Sequence, residues 1–259
     1  MTVTMERPVA AELRPSGPPM PREHGAWGIL LIPFATAVGV SGVVDAKMVL
    51  LLASVLCFYI ARTSFLKHHA KWTFLLLAGS GLCTAPLLIV WHLWWLAAFG
   101  VVAAALAFRR TERKVAMQLI AVAGLTLTAP AAWYAATGSL DWPAWRLWVL
   151  NFLYFAGGVF YVKLHVAAAI RHKPIDCISE RLALGTATLS YHAGMSAVLV
   201  VFVAMHWISW PVLLAYVTAV IRAVVGVWRL TPTLRIKRLG WTEVAYSLVF
   251  AVVVILSRG

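Results

Sequence analysis

Four groups of residues in this chain could do chemistry, and each sets ionisable side chains against strongly apolar surroundings. Pro21-Arg22-Glu23-His24-Gly25-Ala26-Trp27 places Glu23 beside His24 at the mouth of an apolar run. A carboxylate next to an imidazole at a membrane surface can bind or move protons. The same residues also suit a plain helix start, with Pro in the first turn, Glu near the positive end of the dipole and Trp27 at the interface. Arg62-Thr63-Ser64-Phe65-Leu66-Lys67-His68-His69 closes a second apolar run. Arg62, Ser64 and Lys67 offer donors suited to phosphate oxygens, while Arg62 and Lys67 can equally snorkel to lipid headgroups.

The third group is Tyr154, Tyr161, Lys163, His165 and Arg171, all within or just after one long apolar run. Lys163 stands about two turns inside the Arg171 end. A lysine at that depth is costly against lipid, so it is expected to face the bundle interior or a wet cavity. It is the strongest single candidate. His165, two residues on, points about 160° away on a helix of about 100° per residue. The fourth group begins with Arg222 and Arg229, seven apart and hence on one helix face. Pro232, Arg235, Lys237 and Arg238 follow, then Glu243 at the next apolar run. A basic interfacial loop explains most of these, and an ion pair between Glu243 and one of the arginines is expected.

The elements that must position these residues are membrane helices. Of 259 residues 62% are hydrophobic and 12% charged, against about 25% charged in soluble domains. A bilayer, not a water-facing surface, can cover so much apolar area. Apolar runs of about membrane-spanning length lie near 24–42, 47–64, 72–90, 93–108, 115–136, 146–169, 183–205, 208–229 and 242–257. The expected fold is therefore all-α, a polytopic bundle of about nine transmembrane helices forming one domain over 21–259. Residues 1–20, rich in Pro, Glu and Arg, read as a disordered cytoplasmic tail. The pairs 72–90/93–108 and 183–205/208–229 read as tight helical hairpins. Thr84-Ala85-Pro86 and Thr128-Ala129-Pro130 fall inside runs, where kinks with threonine rescuing freed backbone groups are expected.

Lys and Arg collect in the tail and after every even-numbered run, whereas the opposite side holds Lys47, Arg146 and Arg258. By the positive-inside rule the N-terminus is cytoplasmic and the C-terminus outside. Trp91, Trp94, Trp95, Trp142, Trp145, Trp148, Trp207 and Trp210 map to the outer ends, Trp27, Trp72, Trp228 and Trp241 to the inner ends, and Trp133 deeper. Two aromatic belts are expected there. The net charge of +13 is met by anionic lipid headgroups, so membrane lipids are the expected partners and nucleic acid is not. The three cysteines Cys57, Cys83 and Cys177 form no disulfide framework. There is no Walker motif, Cys-rich metal motif or nucleophile elbow. His192, beside Tyr191, reads first as a hydrogen-bonded core residue and only second as a heme ligand; no cofactor and no metal are expected.

The segment from Pro21 to Trp27, followed by its apolar run, resembles the opening of the YwiC-like family of bacterial membrane proteins, and length and basic-loop placement extend the likeness along the chain. That family is largely uncharacterised and implies little chemistry. The architecture is more loosely similar to the UbiA superfamily of intramembrane prenyltransferases, which have nine helices and an active site at the cytoplasmic ends of helices 2 and 6. Those enzymes use Asp-rich motifs and Mg²⁺ to hold a prenyl diphosphate. Here no acidic residue stands between Asp45 and Glu112, and only Asp176 and Glu180 follow the sixth run. Arg62, Lys67, Lys163 and Arg171 stand in those regions instead, so Mg²⁺ is not expected. The implied function is a basic cytoplasmic-side cavity that binds an anionic lipid or isoprenoid phosphate through Arg62, Ser64, Lys67, Lys163, Arg171 and Arg229. If it transfers a group, Glu23, His24 and Glu243 are the acid–base candidates. The alternatives are a transporter or assembly partner of a respiratory complex, and a heme- or quinone-binding membrane protein.

Overall fold

In lipid every backbone N–H and C=O must find a partner inside its own segment, and helices do this for the long apolar runs. The computed structural model describes residues 17–20, 24–107, 114–171, 175, 177–232 and 236–257, with the backbone alone at 24, 107 and 236–238. These residues form α1 (His24–Ser41), α2 (Ala46–Leu66), α3 (Ala70–Ile89), α4 (Trp95–Ala107), α5 (Val115–Thr126), α6 (Thr128–Thr137), α7 (Trp142–Ile170), α8 (Ile178–Ala204), α9 (Val212–Trp228) and α10 (Ile236–Leu256). No strand is present among the described residues. Six helices, counting Val115–Thr137 as one, are long and apolar enough to cross a bilayer. Three further apolar helices, Gly25–Ser41, Trp95–Leu106 and Val212–Trp228, are shorter than a full span. The nine expected runs are therefore all helical among the described residues, and six of them have the length and composition of a crossing.

Two proline-bearing runs behave differently. The run 115–137 breaks at Leu127, so that α6 opens with Thr128-Ala129-Pro130. Pro130 has no N–H to offer the preceding turn and its ring crowds the carbonyl four residues back. Thr126 Oγ1 donates to the Val122 carbonyl at 2.9 Å, and Thr128 Oγ1 donates across to the Leu30 carbonyl on α1 at 3.0 Å. α3 continues through Pro86. There Thr84 Oγ1 donates to Ser80 O at 2.9 Å and meets Ser54 Oγ of α2 at 2.7 Å. The hydroxyl thus ties two helices together as well as bonding its own.

α1 runs through the bundle, packed on α6 and α10 and touching α5 and α7. The α2–α3 hairpin lies to one flank with α6 beside α2, and α8 and α9 lie to the other, against α7 and α10. Polar groups bridge the interior. Asn151 Nδ2 of α7 donates to Thr36 Oγ1 of α1 at 3.0 Å, and Tyr216 Oη of α9 donates to the Leu150 carbonyl of α7 at 2.7 Å. Three helices turn off on a histidine in the left-handed region: His68 (φ 59°), His92 (φ 54°) and His206 (φ 56°). The His69 and Trp207 N–H groups then reach back to Ser64 O at 2.9 Å and Phe202 O at 2.8 Å. His92 and His206 close the two expected tight hairpins.

Trp91, Trp94, Trp95, Trp142, Trp145 and Trp210 are exposed at one end of the bundle and Trp228 and Trp241 towards the other. Trp133 corrects the expectation that it lies deep. It sits one turn from the end of α6, and its indole donates to Asp141 Oδ1 at 2.6 Å in the turn before α7.

Candidate functional site

α9 carries one charged side chain within its apolar length, Arg222, six residues before its end at Trp228. At about 1.5 Å per residue that is about 9 Å inside the helix end. An arginine facing lipid there is costly, so it should turn inward and find a partner. The partner comes from α10. Glu243 Oε2 lies 2.7 Å from Arg222 Nη1, with the two side chains 18% and 4% exposed. Tyr161 of α7 and Tyr246 of α10 present their ring faces to the guanidinium at 4.6 and 5.3 Å. Aromatic faces attract a cation most strongly when water is excluded, as here. Glu243 and Tyr246, three apart, lie one above the other on the same face of α10.

Three glycines let the helices approach. A Cβ on Gly226, one turn from Arg222, would lie 2.5 Å from the Tyr161 ring. A Cβ on Gly158 would lie 3.3 Å from Glu243 Oε2, and one on Gly157 would lie 3.1 Å from His192 Nε2. The bare stretch Gly157-Gly158 therefore receives an imidazole from α8 and a carboxylate from α10. Along α7, Tyr154, Gly158, Tyr161 and His165 follow at alternating spacings of four, three and four residues, which keeps them on one face. His165 packs edge-on against Tyr161, with ring centroids 4.6 Å apart. His192 Nδ1 is hydrogen-bonded to Thr188 O at 2.8 Å, as a core histidine should be.

Several polar atoms of this cluster are left over. Arg222 Nε and, its ion pair apart, Nη1, together with Glu243 Oε1, Tyr154 Oη, His165 Nε2 and His192 Nε2, are buried without a hydrogen-bond partner. Each such atom costs about 1–3 kcal/mol, more if charged. Six in one region of one bundle mark it as a place built to meet something polar.

The other expected site residues are spread around the bundle. Ser64 is buried and its hydroxyl bonds Ile60 O at 3.1 Å in its own helix. Lys67 ends α2 and its Nζ reaches Met20 O at 3.5 Å. Arg62 is half-buried on α2, and Lys163 is half-buried on α7. Two residues from Tyr161, Lys163 faces about 160° away from the Arg222 side. Arg171 pairs with Glu180 at 2.8 Å on an exposed surface. Arg229 is exposed at the C-cap of α9, where φ −97° and ψ 28° carry it off the helical path shared with Arg222. Glu23 lies outside the described residues, and His24 begins α1. α2 thus holds one group of cations, and α7 and α9 hold another, with α6 packed on both α2 and α7.

Among the described residues, the acid–base candidate Glu243 is placed in a buried ion pair. Its partner is the arginine that sequence reasoning had counted with the basic loop. The available signal was position: Arg222 falls inside an apolar run, with Gly226 one turn on.

Fold and site together define a multi-pass helical membrane protein with a buried polar cluster near one end of its bundle. Residues 20–133 match the model of the YwiC-like protein family, so the resemblance carried by Pro21–Trp27 extends through α5 and into α6. The Arg222–Glu243 cluster lies beyond that stretch. No curated protein and no solved structure matches the chain.

Proposed function

We propose that this protein binds an anionic lipid, a phospholipid or an isoprenoid phosphate, at the basic end of its bundle. Arg222 and Glu243 form the inner polar groups of that site. The observation that carries the reading is Arg222. It is almost wholly buried, paired on one nitrogen, flanked by two tyrosine rings and left with Nε unpartnered. Such a cation in a membrane segment is a functional feature by default. Around it, the ends of α2, α7 and α9 carry Arg62, Lys67, Arg171 and Arg229, which can draw an anionic headgroup towards the bundle. Nine apolar helices among the described residues, six of them long enough to cross a bilayer, are in keeping with the looser likeness to the UbiA superfamily. On that scaffold Arg and Lys neutralise phosphate directly, where Asp-rich motifs would need Mg²⁺. Were a group transferred, Glu243 is placed to act as its acid–base residue. In this reading the basic end is cytoplasmic and the membrane is the bacterial plasma membrane.

The test is lipid analysis of the purified full-length protein, with thermal shifts on adding anionic or zwitterionic lipid. Anionic lipid should copurify and should raise the melting temperature where phosphatidylcholine does not. Arg222→Lys should weaken the effect, as should Arg62→Ala combined with Lys67→Ala. Equal responses to both lipid classes would overturn the proposal.

A further inference from the structure

The leftover atoms of the Arg222–Glu243 pair are complementary to one kind of anion. Nη1 and Oε2 meet at 2.7 Å as an ion pair; Arg222 Nε and Nη1 and Glu243 Oε1 are buried and have no hydrogen-bond partner, and Nε and Oε1 have no ion-pair contact either. Nε can only donate a hydrogen bond, and an ionised carboxylate oxygen can only accept one. A group that satisfies both must carry an acceptor and a donor on neighbouring atoms. The phosphate of a diester has acceptors alone, so it sets unbonded negative oxygens against Glu243 unless the alcohol beyond it supplies a donor. A phosphate monoester that keeps one proton has both. Its P–O⁻ accepts from Arg222 Nε and its P–OH donates to Glu243 Oε1.

The protonation state fits the site. A phosphate monoester loses its second proton near about pH 6 in water; the Glu243 carboxylate favours the form that keeps it and the Arg222 guanidinium the form that loses it, and the P–OH bond to Oε1 holds the proton between them. Gly158 keeps the α7 backbone clear of Glu243, since a Cβ there would already lie 3.3 Å from Oε2. Resting on the lipid-binding reading above, we infer that this site selects a monoester phosphate headgroup over diester headgroups. The proton shared with Glu243 is the discriminating contact.

The test compares two lipids that differ by one methyl group. Full-length protein in detergent is titrated with dioleoyl phosphatidic acid and with dioleoyl phosphatidylmethanol, and bound lipid is counted by native mass spectrometry. Phosphatidic acid should bind about tenfold more tightly, the factor one hydrogen bond to a charged group supplies. In Glu243→Gln, whose amide both donates and accepts, the ratio should fall close to one. A preference due only to the greater charge of phosphatidic acid would instead grow in Glu243→Gln, and that outcome overturns the inference. Equal binding of the two lipids by the wild-type protein overturns the selection and leaves anionic lipid binding standing. Binding of neither overturns both. Inorganic phosphate is the last arm. If it fully displaces phosphatidic acid at millimolar concentration, the donor–acceptor assignment holds and the lipid reading falls.

Discussion

Removing Glu243 alone should be far more damaging than removing the ion pair altogether. In Glu243→Ala the Arg222 side chain, 4% exposed, keeps its charge and loses its only carboxylate among the described residues. Breaking a buried pair this way costs about 3–5 kcal/mol, because an uncompensated charge stays behind. The Tyr161 and Tyr246 faces at 4.6 and 5.3 Å remain in both proteins, so they do not reduce the difference. The double variant Arg222→Met/Glu243→Leu removes both charges and fills similar volume. It should lie within about 1 kcal/mol of wild type or above it. The cycle closed by the single variants Arg222→Met and Glu243→Leu should then show a coupling of about 2–3 kcal/mol, the upper part of the range for contacting residues. Reversible unfolding in mixed detergent–SDS micelles measures all of these proteins. A cost below about 1 kcal/mol for Glu243→Ala would mean that the pair is wet or unformed, and the reasoning built on its buried atoms would fail. If the pair serves binding, the stable double variant should also lose lipid.

Three other outcomes follow from local geometry. Gly226→Ala puts a methyl 2.5 Å from the Tyr161 ring, so the ring must leave Arg222; a loss of about 1–3 kcal/mol is expected, with Gly158→Ala milder, both read from melting temperature. His206→Gly, at φ 56°, relieves left-handed strain and should stabilise by up to about 1 kcal/mol, whereas His206→Val should destabilise, since only glycine enters that region freely. Cys177 is exposed, and its thiol is held below the usual range by hydrogen bonds with Ser179. The thiolate is the reactive form, so its maleimide labelling should reach a plateau at lower pH than an ordinary cysteine's. Ser179→Ala should move that profile back up, and an unchanged profile would refute the contact.

The helix inventory was legible in the sequence because each crossing needs its own apolar run, and hydropathy reports that directly. The Glu243 pairing was legible for a related reason: a carboxylate inside an apolar run requires a nearby cation. What hydropathy does not report is which way a side chain turns. Arg222 and Arg229 share a helical period, yet the helix ends before Arg229 and leaves it exposed. Lys163 stood out by depth, whereas the cluster formed on the Tyr161–His165 side of the same helix. Trp133 looked deep from its place inside the apolar run 115–136; the bond of its indole to Asp141, in the turn after α6, brings its polar edge to the helix end. The roles of Gly158 and Gly226 depend on contacts between helices distant in sequence, which no local pattern carries.

α9 is 17 residues long and α7 is 29. At 1.5 Å per residue they measure about 25 and about 43 Å, beside a hydrocarbon core of about 30 Å. The long helix must tilt or project, and the short one leaves too little apolar length for an undeformed bilayer. Lipids along α9 are therefore drawn into a thinner collar than those around the rest of the bundle. Their headgroups come several ångströms nearer the level of Arg222, so bilayer thickness itself becomes a variable that sets how far the guanidinium lies from the polar surface.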